Sequence, residues 1–260
     1  MTPKPSGLSI LLTHIGINHR PLLAGTFLIA VFEVTIIGFA IIQAFAERAV
    51  GWSPIVLFTA VWIVWTWWHS WLFPRRRLRC LARFKNPYRR AFGTDIYPWV
   101  SIGFSQMWRP LINGDTLERL LSGHLKLSLI PVTIGLSICF VSLGIIVLAI
   151  QTIGIHNASF LREFVEPNAF APVQTGIYGA VMHPLFWSGI AYSCGLAIAM
   201  WRPVAILIAV LNIAYGLLYI RLENRRLSRV FGTSYDSYRS QVDSVIPWRR
   251  ARAKPWFRSP

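Results

Sequence analysis

Runs of about twenty predominantly apolar residues constrain the fold of this chain more than any other feature. Such a run forms a helix long enough to cross the roughly 30 Å hydrocarbon core of a bilayer. Five runs fit, at 21–45, 54–73, 127–150, 184–200 and 203–220. The composition agrees, because 54% of the residues are hydrophobic and only 14% are charged. We therefore predict an all-α, polytopic helical membrane protein.

Basic residues are concentrated in two places beside predicted spans. The net charge is +16, and of the 26 Lys and Arg residues eight lie in 75–90 and ten in 221–258. This distribution is typical of cytoplasmic segments that meet anionic membrane lipid. No basic patch interleaved with aromatic residues occurs outside these segments, so a nucleic-acid partner is not expected. Residues 75–90 are interpreted as a short cytoplasmic loop, and residues 249–260 as a basic tail on the lipid surface.

Cysteines and metal-site motifs are uninformative here. Cys80, Cys139 and Cys194 form no pair at the spacing of a zinc site and no disulfide framework. No HExxH-like spacing occurs either, so no metal is expected. The first twenty residues have too short an apolar run for a signal peptide, and we expect an interfacial lead-in.

Two features inside the predicted spans are unusual for a bilayer. Glu33 lies in the first span, where an acid is costly and is either functional or neutralised by protonation or a polar neighbour. The second span ends in five tryptophans between 62 and 71, with His69 among them. These are either interfacial belt residues or the wall of an aromatic cavity. We keep Glu33, Trp68 and His69 as weak candidates for an acceptor cavity.

Two polar motifs flank the last pair of predicted spans. The first, 175–189, places His183 and Pro184 at the start of an apolar run, and Pro184 suits the first turn of a helix. The second, 221–247, follows the next apolar run and is expected to form an amphipathic tail helix. A tight turn at 201–203 joins the two runs. This helical hairpin brings both motifs to the same membrane face.

At these residues the chain resembles the membrane-embedded methyltransferases that include isoprenylcysteine carboxyl methyltransferase and the phospholipid N-methyltransferases. Those proteins carry G-x-Y-x-x-x-R-H-P-x-Y-x-G, a helical hairpin, and then E-E-x-x-L-x-x-x-F-G-x-x-Y-x-x-Y with a later hydrophobic-Pro pair. The first motif is matched by Gly176, Tyr178, His183 and Pro184, with Phe186 at the second tyrosine. The second is matched by Glu223, Leu227, Phe231, Gly232, Tyr235, Tyr238, Ile246 and Pro247. The resemblance covers residues 176–248, under a third of the chain.

The resemblance implies a cofactor site for S-adenosyl-L-methionine at the cytoplasmic membrane surface. Glu223 and His183 are the implied catalytic residues, and the implied cofactor-binding residues are Tyr178, His183, Pro184, Glu223, Asn224 and Arg221. Three positions depart from the family pattern, since Met182 replaces Arg, Asn224 replaces the second Glu, and Ser188 replaces Gly. Arg221 or Arg225 would restore the missing positive charge. Phe231, Tyr235 and Tyr238 are expected to pack the tail helix over the site.

The implied activity is methyl transfer to a hydrophobic or membrane-partitioned acceptor: a lipid-like carboxylate, an amine or a thiol. Membrane lipids and this acceptor are the expected partners, in a bacterial inner membrane. Two alternatives stay open. Membrane sterol reductases resemble the same motifs but use NADPH, and a degenerate site would leave a lipid-binding or scaffold protein.

The direction of the chain through the membrane requires one more crossing. If the two motifs and residues 75–90 all face the cytoplasm, as do both termini, a segment between 92 and 126 must cross. We predict an irregular sixth crossing near 96–112, followed by a short helix capped by Asp115 or Thr116. Otherwise residues 75–90 break the positive-inside rule. We divide the chain into an N-terminal membrane region, 1–126, and a methyltransferase-like core, 127–260.

Overall fold

The computed structural model describes residues 7–17, 21–165 and 173–242. Within these ranges the chain is helical and contains no β-strand, which confirms the predicted all-α class. Ile246, Pro247 and the basic tail lie outside the described residues.

The helices follow one another with short connections. In chain order they are α1 (Gly7–Ile15), α2 (Pro21–Val50), α3 (Pro54–Trp67), α4 (Phe73–Arg83), α5 (Pro87–Ala91), α6 (Tyr97–Trp108), α7 (Gly114–Leu121), α8 (Leu129–Ile153), α9 (Ile155–Ala158), α10 (Arg162–Val165), α11 (Pro184–Met200), α12 (Pro203–Phe231) and α13 (Thr233–Gln241). A π-helical turn, Trp68–Leu72, joins α3 to α4, and another, Phe92–Ile96, joins α5 to α6. A 3₁₀ turn, Gly176–Gly179, precedes α11.

The five predicted apolar spans are all present as helices. Four helical segments among the described residues are long and apolar enough to cross a membrane: Leu23–Val50, Pro54–Arg83, Leu129–Ile153 and Pro203–Arg229. Helix α11 is the shorter fifth, at 17 residues. The protein is therefore an integral membrane protein.

The predicted basic loop at 75–90 is wrong. Helix continues from α3 through the π turn into α4 and ends at Arg83. Arginine is a good helix former, and the π turn accommodates Pro74, which has no backbone N–H to donate. The break comes at Phe84, which is extended, three residues before Pro87. Eleven further residues of helix thus carry the basic side chains out from the aromatic end of α3.

The predicted sixth crossing falls in a helical segment of this fold. The chain is helical without a break from Pro87 to Trp108, with the π turn inside this stretch. Its first half lies beside α4, where Asp95 pairs with Arg76. Its second half runs parallel to α2, because Tyr97 bonds Thr35 and Arg109 pairs with Glu47. The segment thus runs from the basic end of α4 to the C-terminal end of α2. It begins nearer the N-terminus than predicted, and its crossing of the bilayer stays a prediction.

The cap predicted for the short helix after this segment is wrong by two or three residues. Asn113 is the N-cap of α7, and its side chain accepts a hydrogen bond from the Thr116 backbone N–H at 3.0 Å. Asn113 is buried and extended, as an N-cap requires. Asp115 instead pairs with Arg119 one turn later.

Helices α8, α11 and α12 form the frame of the site. Helices α8 and α11 pack closely and antiparallel, and a Cβ added to Gly135 would lie 2.3 Å from the Gly195 carbonyl oxygen. Close contact between small residues is the usual way in which helices associate in membranes. Trp201, in the left-handed conformation, turns the chain from α11 into α12.

Only the second half of the second motif forms the predicted separate tail helix. Its first half continues α12 to Phe231, because nothing in 221–231 interrupts the helix. Gly232, with φ of 56°, then ends α12, and the second half forms α13.

Candidate active site

The first motif places His183 beside the C-terminal part of α12. Gly176, with φ of 55°, begins the 3₁₀ turn, and Pro184 is the first residue of α11. His183 is the N-cap of α11, but its side chain does not cap the helix. Its Nε2 instead lies 2.7 Å from Oδ1 of Asn224 on α12. Because an amide oxygen only accepts, His183 carries its proton on Nε2.

Asn224 is a shared acceptor for both motifs. Its Oδ1 also accepts the hydroxyl proton of Tyr235 on α13, at 2.5 Å. Asn224 is buried, and burial lowers the pKa of His183 below its ordinary value, against the opposing effects of the Asn224 hydrogen bond and the Glu223 charge. A neutral imidazole at this position needs no anionic partner. The Asn224 amide oxygen therefore satisfies the His183 N–H at the position where the family motif has a glutamate.

Glu223, the residue before Asn224, lies in a row of alternating charges. Both its carboxylate oxygens accept from Arg226, with Nε to Oε2 at 2.8 Å and Nη2 to Oε1 at 2.9 Å. Arg226 Nη1 also donates to Glu163 Oε1 of α10 at 2.6 Å. Arg77 of α4 continues the row, donating from Nε to the Glu163 backbone carbonyl at 2.8 Å. The four side chains are only 12–16% exposed, so their charges are largely desolvated.

The π turn places His69 at the other end of this row. Its Nε2 lies 3.5 Å from Oε2 of Glu223 and 3.3 Å from the hydroxyl oxygen of Tyr219. Its ring stacks on Trp65, one turn earlier in α3. π-helical turns occur often at functional sites because they re-aim side chains within a helix. His69 thus joins the polar cluster from the second span.

Helix α13 covers the first motif. Tyr238 donates its hydroxyl proton to the Tyr178 backbone carbonyl at 2.7 Å. Met182, the residue in place of the family arginine, is buried with Tyr235 and Tyr238 in one apolar cluster. Burial raises the pKa of Tyr178 to about 12, so the phenol is neutral and available as a donor.

The predicted site residues divide into two groups. Tyr178, His183, Pro184, Glu223 and Asn224 come together where α11 begins beside the end of α12. Arg221 is exposed on the surface of α12, and Glu33 is exposed on α2. Trp68 is fully buried and stacks on Trp99 of α6, so it packs away from the polar cluster.

Arg226, Glu163 and Arg77 are the residues that sequence reasoning missed. Spacing i, i+3 on a helix puts Arg226 next to Glu223, and this signal was available. Glu163 carried no such signal, because it lies in the connector after α9 and meets Arg226 only through the tertiary fold. The same holds for Arg77, hidden among eight basic residues in 75–90.

Comparison with known proteins supports the resemblance. The model of the phospholipid methyltransferase family matches residues 130–234. A curated relative, Methanethiol S-methyltransferase 1 of Bradyrhizobium diazoefficiens, is 27% identical over 152 residues, covering 55% of this chain and 49% of that protein. The chain thus spans about half the length of this relative. No solved structure matches the chain. The match from 130 to 234 includes the first polar motif and the first half of the second.

Proposed function

We propose that the protein is a membrane methyltransferase that uses S-adenosyl-L-methionine. The observation that carries this proposal is the meeting of the two polar motifs, in which His183 bonds Asn224 and Glu223 pairs with Arg226. This cluster lies within the region that matches the methyltransferase family. The reductase alternative draws no support from the comparisons.

The residues present fit the charged groups of the cofactor. S-adenosyl-L-methionine has an ammonium and a carboxylate at one end, and the cluster offers the Glu223 carboxylate to the ammonium. Arg226 already donates to Glu223 and Glu163, and it therefore holds the Glu223 carboxylate in place. The partially positive N-terminus of α11 at Pro184 favours an anionic group as well. Tyr178 and His183 supply neutral hydrogen-bonding groups, and Asn224 orients His183. Arg221 is a further candidate, exposed one turn before Arg225 on α12.

When bound, the cofactor supplies an activated methyl group on a sulfonium. The protein's part is to hold the reacting groups in line and to exclude water, which accounts for much of the rate in such transfers. Glu223 and His183 are the residues we assign to this positioning. Helix α13 closes over the first motif through Tyr235 and Tyr238 and shields it from water.

The acceptor is proposed to be hydrophobic or membrane-partitioned. The apolar helices around the cluster allow a lipid-like carboxylate, an amine or a thiol to approach from the bilayer. The matched family is named for phospholipids, and the relative is named for methanethiol. An amine headgroup and a small thiol are therefore the first acceptors to test.

We place the site on the cytoplasmic side of a bacterial inner membrane, with both termini. Arg77, in the basic end of α4, reaches Glu163 and through it Arg226. The basic helix and the polar cluster therefore lie at the same end of the helix bundle. Since basic segments are retained in the cytoplasm, this arrangement supports a site open to a cofactor dissolved there.

A transfer assay tests the proposal. Purified protein is incubated with S-adenosyl-L-methionine labelled in its methyl group and, in parallel, with a short-chain thiol, phosphatidylethanolamine or an isoprenylated carboxylate. We expect label in one product, and no transfer by Glu223→Ala. Transfer to none of them by a folded protein that also fails to bind S-adenosylhomocysteine contradicts the proposal.

A further inference from the structure

Two adjoining cavities open where α4 ends and α5 begins, apart from the polar cluster. Their volumes are about 350 and 180 Å³, and both are lined by Phe84, Arg90 and Thr94. We call them together the basic groove, defined by Arg79, Arg83, Lys85, Arg89, Arg90 and Thr94. The extended turn at 84–86 forms one wall and the π turn after α5 forms the other.

The groove carries a large excess of positive charge. Its five Arg and Lys side chains are exposed, and none has an ion pair with a residue that the structure describes. The one acid beside them, Asp95, is buried and already engaged by Arg76 at 2.9 Å and by the Thr94 hydroxyl at 2.8 Å. Asp95 therefore fixes the wall of the groove without neutralising it. Such a cavity selects an anion, and guanidinium groups favour the oxygens of a phosphate.

An apolar side chain in the groove wall and a tryptophan just before α4 indicate where that phosphate comes from. Phe84 lines the groove and is 45% exposed. Trp71, where the membrane-spanning helix approaches its basic end, is exposed and lies under the Arg75 guanidinium at 3.7 Å. An aromatic residue followed by cationic side chains is typical of the membrane–water interface. A ligand here meets charge on one side and hydrocarbon on the other.

We propose that the basic groove binds the phosphate of an anionic phospholipid at the membrane surface. The arginine and lysine side chains hold the phosphate oxygens, and Phe84 lies against the acyl chains. This site is separate from the proposed methyl-transfer site and does not depend on that activity. It gives the cluster of basic residues in 75–90 a specific ligand in addition to its role in orienting the chain.

The test measures binding of a short-chain phosphatidylglycerol to the full chain in detergent, with phosphatidylcholine and inorganic phosphate as competitors. We expect phosphatidylglycerol to bind at least about tenfold more tightly than phosphatidylcholine, as juxtamembrane basic residues attract anionic lipid. Arg83→Gln/Lys85→Gln/Arg90→Gln should lose this preference. The control Arg225→Gln/Arg229→Gln/Arg239→Gln removes the same charge from exposed positions on α12 and α13. This control should keep the preference for phosphatidylglycerol.

A steric variant tests the shape of the groove without changing its charge. A Cβ added to Gly93 meets nothing within 4 Å, and Gly93 lines the larger cavity. Gly93→Phe should therefore fill the groove, keep every charge and weaken phosphatidylglycerol binding. Unchanged binding in Gly93→Phe, or equal losses in the two triple variants, overturns the proposal. Competition by inorganic phosphate as strong as that by phosphatidylglycerol also overturns it, because the groove would then hold free phosphate.

Discussion

Arg226 holds Glu223 by two hydrogen bonds, of 2.8 and 2.9 Å, and donates from Nη1 to Glu163. The guanidinium thus joins α10, in the connector before the first motif, to the end of α12. Two largely desolvated carboxylates share this guanidinium, and Arg77 also pairs with Glu163. Arg226 is therefore a structural link that holds the Glu223 carboxylate in position.

Removing the guanidinium should destabilise the protein. Arg226→Ala leaves Glu223 and Glu163 largely desolvated without their main partner, and we expect a loss of about 3 kcal/mol. Thermal unfolding in detergent measures it. Arg225→Ala, an exposed neighbour on the same helix, should change stability by less than about 0.5 kcal/mol. Equal effects of the two variants would show that the row of charges is not a structural unit.

Because His183 and Tyr235 share Asn224 as an acceptor, the effects of substitutions at Asn224 and Tyr235 on the free energy of unfolding should not add. Asn224→Ala removes the acceptor for His183 and Tyr235, and Tyr235→Phe removes one donor. We expect each substitution to lower the free energy of unfolding by about 1–3 kcal/mol, and the double variant to lower it by less than the sum of the two. Tyr238→Phe is the matched control, since its hydroxyl bonds the Tyr178 carbonyl and not Asn224. Full additivity of Asn224→Ala with Tyr235→Phe would contradict the shared contact.

Stability should fall on mild acidification because of His183. Its pKa in the folded protein lies below its ordinary value, since burial opposes the charged form. Below the ordinary pKa of about 6.5 the unfolded chain binds more protons, so stability decreases as the pH falls through this value. One group contributes at most about 1.4 kcal/mol per pH unit. Melting temperatures between pH 7.5 and 5.5 should fall more in the wild type than in His183→Gln, and identical slopes would contradict this assignment.

The segment from Pro87 to Trp108 should cross the membrane. In a background with Cys80, Cys139 and Cys194 replaced by alanine, Lys85→Cys and Ser122→Cys place single reporters at exposed positions on either side of the segment. A membrane-impermeant maleimide should label Lys85→Cys from the cytoplasmic side and Ser122→Cys from the opposite side. Labelling of both from one side would rule out the sixth crossing.

The apolar runs predicted the helices well because length and hydropathy alone decide whether a helix can span a bilayer. The limits of α4 and α12 were harder to predict, since basic residues form helix as readily as apolar ones do. Charge indicated a loop at 75–90, and only the fold shows α4 extending to Arg83. The hairpin and the two motifs predicted the pairing of the His183 and Asn224 regions.

The contacts that the sequence did not reveal are those made across distant elements. Glu163 bonds Arg226 over 63 residues, and His69 meets Tyr219 over 150. No local pattern encodes such pairs. Glu33 illustrates the opposite case, because its position in an apolar span left both a functional role and a neutralised acid open, and the structure leaves it exposed on α2.

Calorimetric titration with S-adenosylhomocysteine, alongside NADPH, tests the central claim most directly. The account predicts binding in the micromolar range for the wild type in detergent and for Arg225→Ala. It predicts loss of binding in Glu223→Ala and in His183→Ala, each with its folded state verified by thermal unfolding, and no heat with NADPH. Binding of NADPH but not S-adenosylhomocysteine, or silence with both ligands in a folded protein, would contradict it.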